Sequence, residues 1–583
     1  MDRPEGTIIG RVRHVLGSTV TVSLDPELAG IAPLWEGRLY PIGQIGSIVR
    51  LPQGPISLLA SVMLVGIAEL SGQLTPSTGV QVGDRWLQVQ LLGEVDSLGS
   101  FRRGVSQYPG LEDPVHFTTP AELRAVYPSP SDSRVRLGSL AAAPDVPLAL
   151  DAARLVTRHG AVVGSTGSGK TNAVAALLQN FVAGGWTAAN IVVVDPHGEY
   201  ISALKSAASI RSVLPEDEKN LLRVPFWALP AADILRALAG GDSGASVSAR
   251  FAELVTELRR DFAAKATWLD LEAQSITADT PIPFDIREVW YRLDSDNRAT
   301  YEKTQGGGQV KMSEEGNAAS LTPTKFEPYA PGNAAPFRGP LHGSYATTPD
   351  RMRLRLADRR FRFFLEPTGS AEGPDPLLAV VSEWLGGASA VSVLDFSGVP
   401  GDVADLAIGA VLNLLFELSV RGESDGIGRA RPVFVVLEEA HRYLSSNVAG
   451  KLAAQAADRI AREGRKYGIG LLLVTQRPSD LPDTALAQCG TIIALRLTNA
   501  GDQSTVRAAL PDSVVGLADV LPSLRTGEAI VSGEAVVFPS RVLVDKADPE
   551  PQASDPVLSS WRKAPSANDV SKVIARWRGV SDA

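Results

Sequence analysis

The chain has 583 residues, of which 44% are hydrophobic, and a formal net charge of −9. The length predicts two to four folded units, and the acidic balance excludes a surface that is basic throughout while leaving room for a basic inner channel. Its single cysteine, Cys489, excludes intrachain disulfides and cysteine-rich metal sites; since the N-terminus is not signal-like and no apolar run looks long enough to cross a bilayer, we expect a cytoplasmic protein without membrane contacts.

Residues 1–95 predict a small β-barrel. Short β-rich runs at 45–51, 61–65 and 86–90 are separated by turns that contain glycine and proline, a pattern typical of barrels. Nothing in this segment resembles a catalytic cluster. Residues 96–150 are interpreted as a connector into the next domain.

Residues 164–171 match the phosphate-loop pattern G-x-x-x-x-G-K-[ST] at every position. An apolar strand ends at residue 163 and an apolar helix is predicted over 172–182, so a bound phosphate would lie at a helix N-terminus. Lys170 would reach the outer phosphates, and the Thr171 hydroxyl would ligate Mg²⁺. The predicted nucleotide-binding residues are Gly164, Ser165, Thr166, Gly167, Ser168, Gly169, Lys170, Thr171 and Asn172.

The phosphate loop opens a predicted α/β core formed by residues 151–202 and 386–545. Apolar runs at 190–195, 391–395, 433–437 and 471–475 are each closed by polar residues. This is typical of a parallel sheet that binds its ligand at one edge. Glu199, shortly after the first of these runs, could orient or activate water there, although a lone loop glutamate is more often only solvated.

An inserted helical subdomain is predicted between the two halves of the core, over residues 203–385. Helical patterns such as 251–258 interrupt the strand rhythm there. Within it, residues 300–348 are rich in glycine, proline, asparagine and threonine. Such a composition buries little surface and predicts a long exposed or partly disordered loop.

Paired acids, Glu438 and Glu439, follow the apolar strand at 433–437. In a phosphoryl-transfer site the first would approach Mg²⁺ and the second would polarise the attacking water. The alternative is that two exposed acids merely favour a helix dipole. Gln476, which follows the strand at 471–475, could sense a γ-phosphate or align water; capping of the strand end is the alternative.

Basic residues complete the candidate site. Arg158 precedes the phosphate-loop strand, and Arg462 and Arg465 precede the strand that leads to Gln476. A ring ATPase needs a positive charge delivered across its subunit boundary. Any single arginine is by default a solvated surface residue.

The C-terminal segment, 546–583, reads as a polar linker followed by an amphipathic helix. Val570, Val573, Ile574 and Trp577 follow helical spacing after a capping pair at 566 and 569. Such a helix would pack on its own core or strap a neighbouring subunit.

Taken together, the segments 158–159, 164–171, 195–200, 438–441, 464–468 and 475–478 resemble the HerA family of ring ATPases, in the HerA–FtsK group. The resemblance implies a RecA-like P-loop core, a HerA-type barrel, a homohexamer that binds ATP and Mg²⁺ at subunit interfaces, and double-stranded DNA in a central channel. It also implies a partner bound through the barrel: a NurA-like nuclease, or a sirtuin-like NADase or other defence effector. The sequence departs from the family in having Glu438 where Asp is usual and in the length of the 300–348 loop.

Two functional hypotheses follow. In the first, the chain is an ATP-dependent DNA translocase or helicase that works with a partner nuclease or defence effector. In the second, it is an ATPase scaffold that assembles and activates an antiphage effector, with ATP turnover mainly regulatory. Both use the same ATP site, and DNA-stimulated hydrolysis by the isolated protein would favour the first.

Overall fold

The computed structural model describes residues 7–26, 28, 34–35, 38–39, 42–67, 85–97, 99–215, 217–241, 243–330, 332, 334–365, 369–385, 389–423, 426–444, 452–511, 515–552, 561–562 and 567–577. The chain forms two compact units, Met1–Pro551 and Gln552–Ala583. The first contains the barrel and a large α/β core with its insertion.

A six-stranded antiparallel barrel closes through the strand order β2-β1-β9-β5-β6-β7, with β7 paired back to β2. Its inward valines and leucines, such as Val12, Val49 and Leu58, are fully buried, and β8 extends the sheet beyond β7. The elements of this region are β1 (Ile8–Leu16), β2 (Thr19–Leu24), β3 (Leu34–Trp35), β4 (Arg38–Leu39), β5 (Ile48–Gln53), β6 (Ile56–Ile67), β7 (Arg85–Val95), β8 (Phe101–Arg103), β9 (Pro114–Phe117) and α1 (Pro120–Val126).

The barrel extends beyond residue 95, because strand β9, which pairs with β1 and β5, lies at Pro114–Phe117. β9 is only four residues long and follows a polar loop, so its period-2 pattern is too short to read in the sequence.

The core is built on one sheet of eleven strands in the order β11-β10-β24-β23-β22-β12-β21-β20-β13-β19-β14. The strands from β22 to β14 are parallel, and β23, β24, β10 and β11 continue antiparallel. The elements up to the insertion are β10 (Arg134–Leu140), β11 (Ala143–Asp151), α2 (Ala152–Thr157), β12 (Gly160–Val163), α3 (Lys170–Ala183), β13 (Asn190–Asp195), α4 (Ile201–Leu204) and β14 (Ala208–Ser212).

Two segments that the sequence pattern placed outside the core thus belong to the core sheet. The connector contributes β10 and β11, and the start of the predicted insertion contributes the edge strand β14. The sequence Ala-Ser-Ile-Arg-Ser of β14 has a single large apolar residue and is half-buried throughout, which gives it no apolar signature.

The insertion is mainly helical and shares a hydrophobic cluster with one face of the core sheet. Its elements are α5 (Ala231–Ala239), α6 (Ala245–Ala263), α7 (Ile286–Arg298), β15 (Thr300–Tyr301), β16 (Met312–Glu314), β17 (Lys325–Phe326), β18 (Phe337–Arg338), α8 (Thr348–Leu356), α9 (Arg362–Leu365) and α10 (Pro376–Trp384). The 300–348 segment carries two small two-stranded sheets, β15–β18 and β16–β17, and most of its described side chains are exposed.

The second half of the core returns to the sheet. Its elements are β19 (Val391–Asp395), α11 (Gly401–Arg421), β20 (Val433–Leu437), α12 (His441–Leu444), α13 (Leu452–Tyr467), β21 (Ile469–Thr475), α14 (Asp483–Ala487), β22 (Thr491–Leu495), α15 (Ala500–Ala509), α16 (Val515–Ala518), β23 (Glu528–Gly533) and β24 (Ser540–Val544). Within α11, the stretch Val403–Arg421 is long and apolar enough to cross a membrane, contrary to our reading of the sequence. Two-thirds of that stretch is buried inside the fold, as in a core helix.

The second unit contains helix α17 (Ala567–Trp577). Val570, Val573 and Ile574 are exposed on it.

Candidate nucleotide-binding site

The phosphate loop connects the carboxyl end of β12 to the first turn of α3. Gly169 caps this helix with a φ of 101°, a left-handed conformation that favours glycine. A Cβ at Gly164 would lie 2.5 Å from Ser168 Oγ and 2.9 Å from Leu495 Cβ, so the loop can close only around glycine. The loop therefore presents its backbone N–H groups and the helix N-terminus at the sheet edge, where an anion is stabilised.

Lys170 opens the helix, and its Nζ donates to the carbonyl oxygen of Ser165 at 3.1 Å. Burial lowers the pKa of Lys170, whereas the nearby carboxylates of Glu438, Glu439 and Glu199 raise it. The ammonium is thus placed inside the loop with three acids around it, an arrangement suited to polyphosphate.

Glu438 follows β20 and is buried beside Tyr200, whose hydroxyl donates to Glu438 Oε1. Burial raises the pKa of Glu438 to about 8, and the charges of Asp195 and Glu199 act in the same direction. The Asp195 carboxylate accepts from the backbone N–H groups of His197, Gly198 and Tyr200. Asp195 therefore sets the loop that brings Glu199 and Tyr200 to the site.

A second set of contacts connects the phosphate loop to the ends of β20 and β21. Thr166 Oγ1 donates to Gln476 Oε1 at 2.6 Å, and Gln476 Nε2 lies 3.3 Å from Glu439 Oε1. The other oxygen of Glu439 lies 3.2 Å from His441 Nδ1. Gln476 and Glu439 thus lie together beside the phosphate loop.

The residues present fit a nucleotide with Mg²⁺. Ser168 Oγ is buried in the loop and has no hydrogen-bond partner in the part of the chain that the structure describes. Thr171 Oγ1 donates to Glu199 Oε2 at 2.8 Å, so a hydroxyl and a carboxylate, hard oxygen ligands of the kind Mg²⁺ takes, stand side by side. The predicted metal pair was Thr171 with Glu438; the carboxylate that touches Thr171 is Glu199.

Asn172 serves another contact. Its Nδ2 donates to the carbonyl oxygen of Asp545, and its Oδ1 accepts from the N–H of Ala547. The side chain thus fastens the segment after β24 to helix α3.

Further residues touch the phosphate loop, and sequence reasoning assigned them no role. Arg496 Nη2 donates to the Gly167 carbonyl at 3.3 Å, Thr526 Oγ1 approaches the same oxygen at 3.4 Å, and the N–H of Gly527 donates to Ser168 O at 3.0 Å. Arg496 directly follows the apolar strand β22. That position at the ligand-binding edge was the available signal.

The three candidate arginines lie at the other edge of the sheet, where the parallel strands begin. Arg158 precedes β12, whereas the phosphate loop follows it, and Arg462 and Arg465 lie in the last turns of α13 before β21 begins. Four strand residues separate the two edges at β12, about 13 Å by strand rise. The structure thus brings Glu199, Glu438, Glu439 and Gln476 to the phosphate loop and leaves Arg158, Arg462 and Arg465 away from it.

Arg158 and Arg465 are neighbours across His159. Burial, with the positive charge of Arg465 acting in the same direction, lowers the pKa of His159 to about 4. The neutral ring accepts from the N–H of Leu471 at 3.0 Å and hydrogen-bonds the backbone of Ala461 on α13. Arg462 lies on the same helix, paired with Asp458 at 3.0 Å.

Two family models match the chain: "Helicase HerA, central domain" over residues 135–415 and "Helicase HerA-like C-terminal" over residues 386–557. A DNA double-strand break repair helicase HerA of Pyrococcus furiosus is 27% identical over 445 residues, covering 70% of this chain and 69% of the relative. The protein of that name from Sulfolobus acidocaldarius is 27% identical over 473 residues, covering 80% and 79%. Among solved structures, VirB4 of Thermoanaerobacter pseudethanolicus superposes with a TM-score of 0.43 at 13% identity, covering 72% of this chain and 99% of that one.

Proposed function

This chain belongs to the HerA family of P-loop ATPases, and we propose that it is a homohexameric motor that hydrolyses ATP to move along double-stranded DNA. The observation that carries the proposal is the division of the site between two sheet edges. The phosphate loop, the acids and Gln476 lie at one edge, and Arg158 and Arg465 lie at the opposite one. In a head-to-tail ring two different surfaces of neighbouring subunits meet, so the arginines of one subunit would face the phosphate loop of the next.

Each residue of the site has a role in hydrolysis under this proposal. Lys170 compensates the charge of the outer phosphates. Thr171 and Glu199, with Glu438 near them, would hold Mg²⁺, which would supply polarisation of the phosphoryl oxygens. Glu439 accepts a proton from the attacking water, which Gln476 orients. Arg465 or Arg158 of the adjacent subunit stabilises the charge on the γ-phosphoryl group. In well-studied enzymes a residue of this kind contributes about 10³–10⁵-fold in rate.

The first prediction tests the motor. Linear duplex DNA should stimulate ATP turnover by the purified chain, and displacement of a third strand from a triplex should report movement along the duplex. Lys170→Ala should abolish both, because it removes the charge that compensates the phosphates. Lys265→Ala, a change at an exposed lysine of the insertion, should leave both intact; near-normal turnover by Lys170→Ala would refute the site.

A partner enzyme is part of the proposal, of the nuclease class or the NADase class and bound through the barrel. The alternative function is a scaffold that assembles and activates such an effector. If DNA does not stimulate ATP hydrolysis by the isolated chain, and hydrolysis appears only after the partner is added, the scaffold is favoured over the motor.

A further inference from the structure

The turn between β23 and β24, residues 534–539, contacts the Arg158 region at one end. Arg158 Nη1 forms an ion pair with Glu534 Oε2. The backbone is joined as well, since the N–H of Glu534 donates to Gly490 O at 2.7 Å and the N–H of Gly490 donates to Arg158 O at 2.8 Å. Arg158 is therefore fixed to this turn through both its side chain and its main chain.

The fit around Gly490 leaves no space for a different backbone path. A Cβ at Gly533 would lie 2.1 Å from the carbonyl oxygen of Gly490, and a Cβ at Gly490 would lie 2.9 Å from the carbonyl oxygen of Arg158. Arg154 Nη1 also donates to the carbonyl oxygen of Glu534 at 3.1 Å. The backbone contacts of Glu534 thus fix the position of its carboxylate independently of the ion pair with Arg158.

The other side of the turn is held by the barrel. Arg103, at the end of β8, donates to three carbonyl oxygens: those of Gly533 at 2.6 Å, Val536 at 2.6 Å and Val537 at 2.8 Å. Phe538 packs between Phe101 of β8 and Tyr127, with ring centroids 5.1 and 4.8 Å away. A charged donor with three acceptors fixes orientation more strongly than a single contact.

An isolated exposed ion pair contributes little to stability, so the Arg158–Glu534 pair alone would have little effect on the protein. Here the acid stands on a turn that is fastened to the barrel, and the base is a candidate to act across the subunit boundary. About a third of the Arg158 side chain remains exposed, as a group that must reach a neighbour requires.

We propose that Glu534 is a positioning residue for Arg158, and that Arg103 of the barrel fixes the turn that carries Glu534. The inference rests on the proposed function, in which Arg158 contributes to the ATP site of the adjacent subunit. Its consequence is a direct path from the barrel to ATP turnover: a partner that shifts β8 would shift the turn, and with it Arg158.

The first experiment is a double-mutant cycle in the full-length chain. Glu534→Gln should lower kcat about 10-fold with little change in KM, the scale expected when a catalytic group is misplaced. In an Arg158→Ala background the same substitution should cause no further loss. Glu288→Gln removes an ion pair of similar exposure, Arg292–Glu288, in the insertion and should leave kcat unchanged. Independent, additive losses, or unchanged or raised turnover in Glu534→Gln, would overturn the proposal.

The second experiment separates positioning from a structural effect. Glu534→Gln chains keep their phosphate loop, and Lys170→Ala chains keep Glu534 and Arg158. Mixed rings should therefore regain turnover, because some interfaces join the intact halves. No recovery despite verified subunit exchange places the effect of Glu534 within its own subunit and refutes the proposal.

These readouts use turnover without DNA, so they remain decisive if DNA stimulation fails and only the motor is lost. If Arg158→Ala alone hydrolyses ATP at the wild-type rate, Arg158 has no role in turnover and the positioning role of Glu534 is refuted. The DNA test of the motor does not depend on this result.

Discussion

Glu439 has an unusual backbone for the residue that would act on water. Its φ of 52° is left-handed, a conformation that costs a non-glycine residue about 1–3 kcal/mol. The next residue holds it there, since the N–H of Ala440 donates to Val474 O at 2.9 Å. This left-handed residue turns the chain between β20 and α12, at the point where the Glu439 carboxylate lies beside Gln476.

The second prediction concerns this carboxylate. Glu439→Gln should keep ATP affinity and lower kcat by about 10²–10⁴-fold, because the amide preserves shape but cannot accept the proton. Equilibrium binding of labelled ATP and steady-state turnover measure the two effects. Glu372→Gln, at an exposed glutamate, is the matched control. Normal hydrolysis by Glu439→Gln would move the base to Glu199 or Glu438.

At the residue scale, the sequence could place Glu199, Glu439 and Gln476 at one edge because each follows a legible apolar strand. It could not foresee that Thr171 donates to Glu199, since that pairing depends on how Asp195 folds the intervening loop. Nor could it foresee the use of Asn172 as a clamp on residues 545–547, because that segment returns to α3 only in the folded sheet.

The loop that enters β23 is an element whose geometry depends on one buried acid. Glu528 accepts from Arg525 and Arg541 and is fully buried. Burial opposes its charge, but the two arginine hydrogen bonds prevail and lower the pKa of Glu528 to about 2. Thr526 and Gly527, which touch the phosphate loop, lie between Arg525 and Glu528.

The third prediction is a pH-dependent loss of stability. A carboxyl whose pKa is depressed on folding stabilises the protein above its unfolded pKa, 4.5, and loses that effect as pH falls toward its folded pKa. Glu528→Gln should therefore lower the free energy of unfolding at pH 7. The difference from wild type should shrink as pH falls below about 4.5. Urea unfolding at pH 7, 5 and 3.5 measures this; a difference that stays constant down to pH 3.5 would contradict it.

Long apolar strands and the phosphate-loop helix were readable at the element scale, because burial on both faces leaves continuous runs of valine, isoleucine and leucine. The short strands β9 and β14 were not. Each is defined by the partners that it pairs with rather than by its own composition. The antiparallel extension through β10 and β11 was likewise hidden in a segment read as a connector.

On the scale of the whole molecule, the barrel has a hydrophobic core of its own and stands apart from the phosphate loop in the chain. The fourth prediction is that a variant lacking residues 1–117 still binds ATP but no longer co-purifies with the proposed partner enzyme. The deletion must extend past β9, because stopping at residue 95 would leave an orphan barrel strand. ATP binding is the proper readout of the core, since loss of Arg103 is itself expected to slow turnover. Undiminished co-purification would place the partner elsewhere.

The last prediction concerns sharing of the ATP site around the ring. Gly464 lets α13 pack directly against β21, since a Cβ there would lie 2.4 Å from Ile469 O. Arg465 is therefore presented from a fixed helix end, exposed at the edge opposite the phosphate loop. It cannot reach the phosphates of its own chain without unfolding that packing, but its planar fork suits phosphate oxygens offered by a neighbour.

Arg465→Ala and Lys170→Ala should each be nearly inactive, for different reasons, because the first lacks the cation and the second lacks the phosphate contact. In an equal mixture, about a quarter of the interfaces of a randomly assembled ring join an intact phosphate loop to an intact Arg465. Turnover should rise toward that fraction of the wild-type rate as subunits exchange, with exchange followed by native mass spectrometry. Complete exchange without recovery would show that Arg465 acts within its own subunit or not at all, and the cation at the γ-phosphate would then have to come from Arg158 or Arg496.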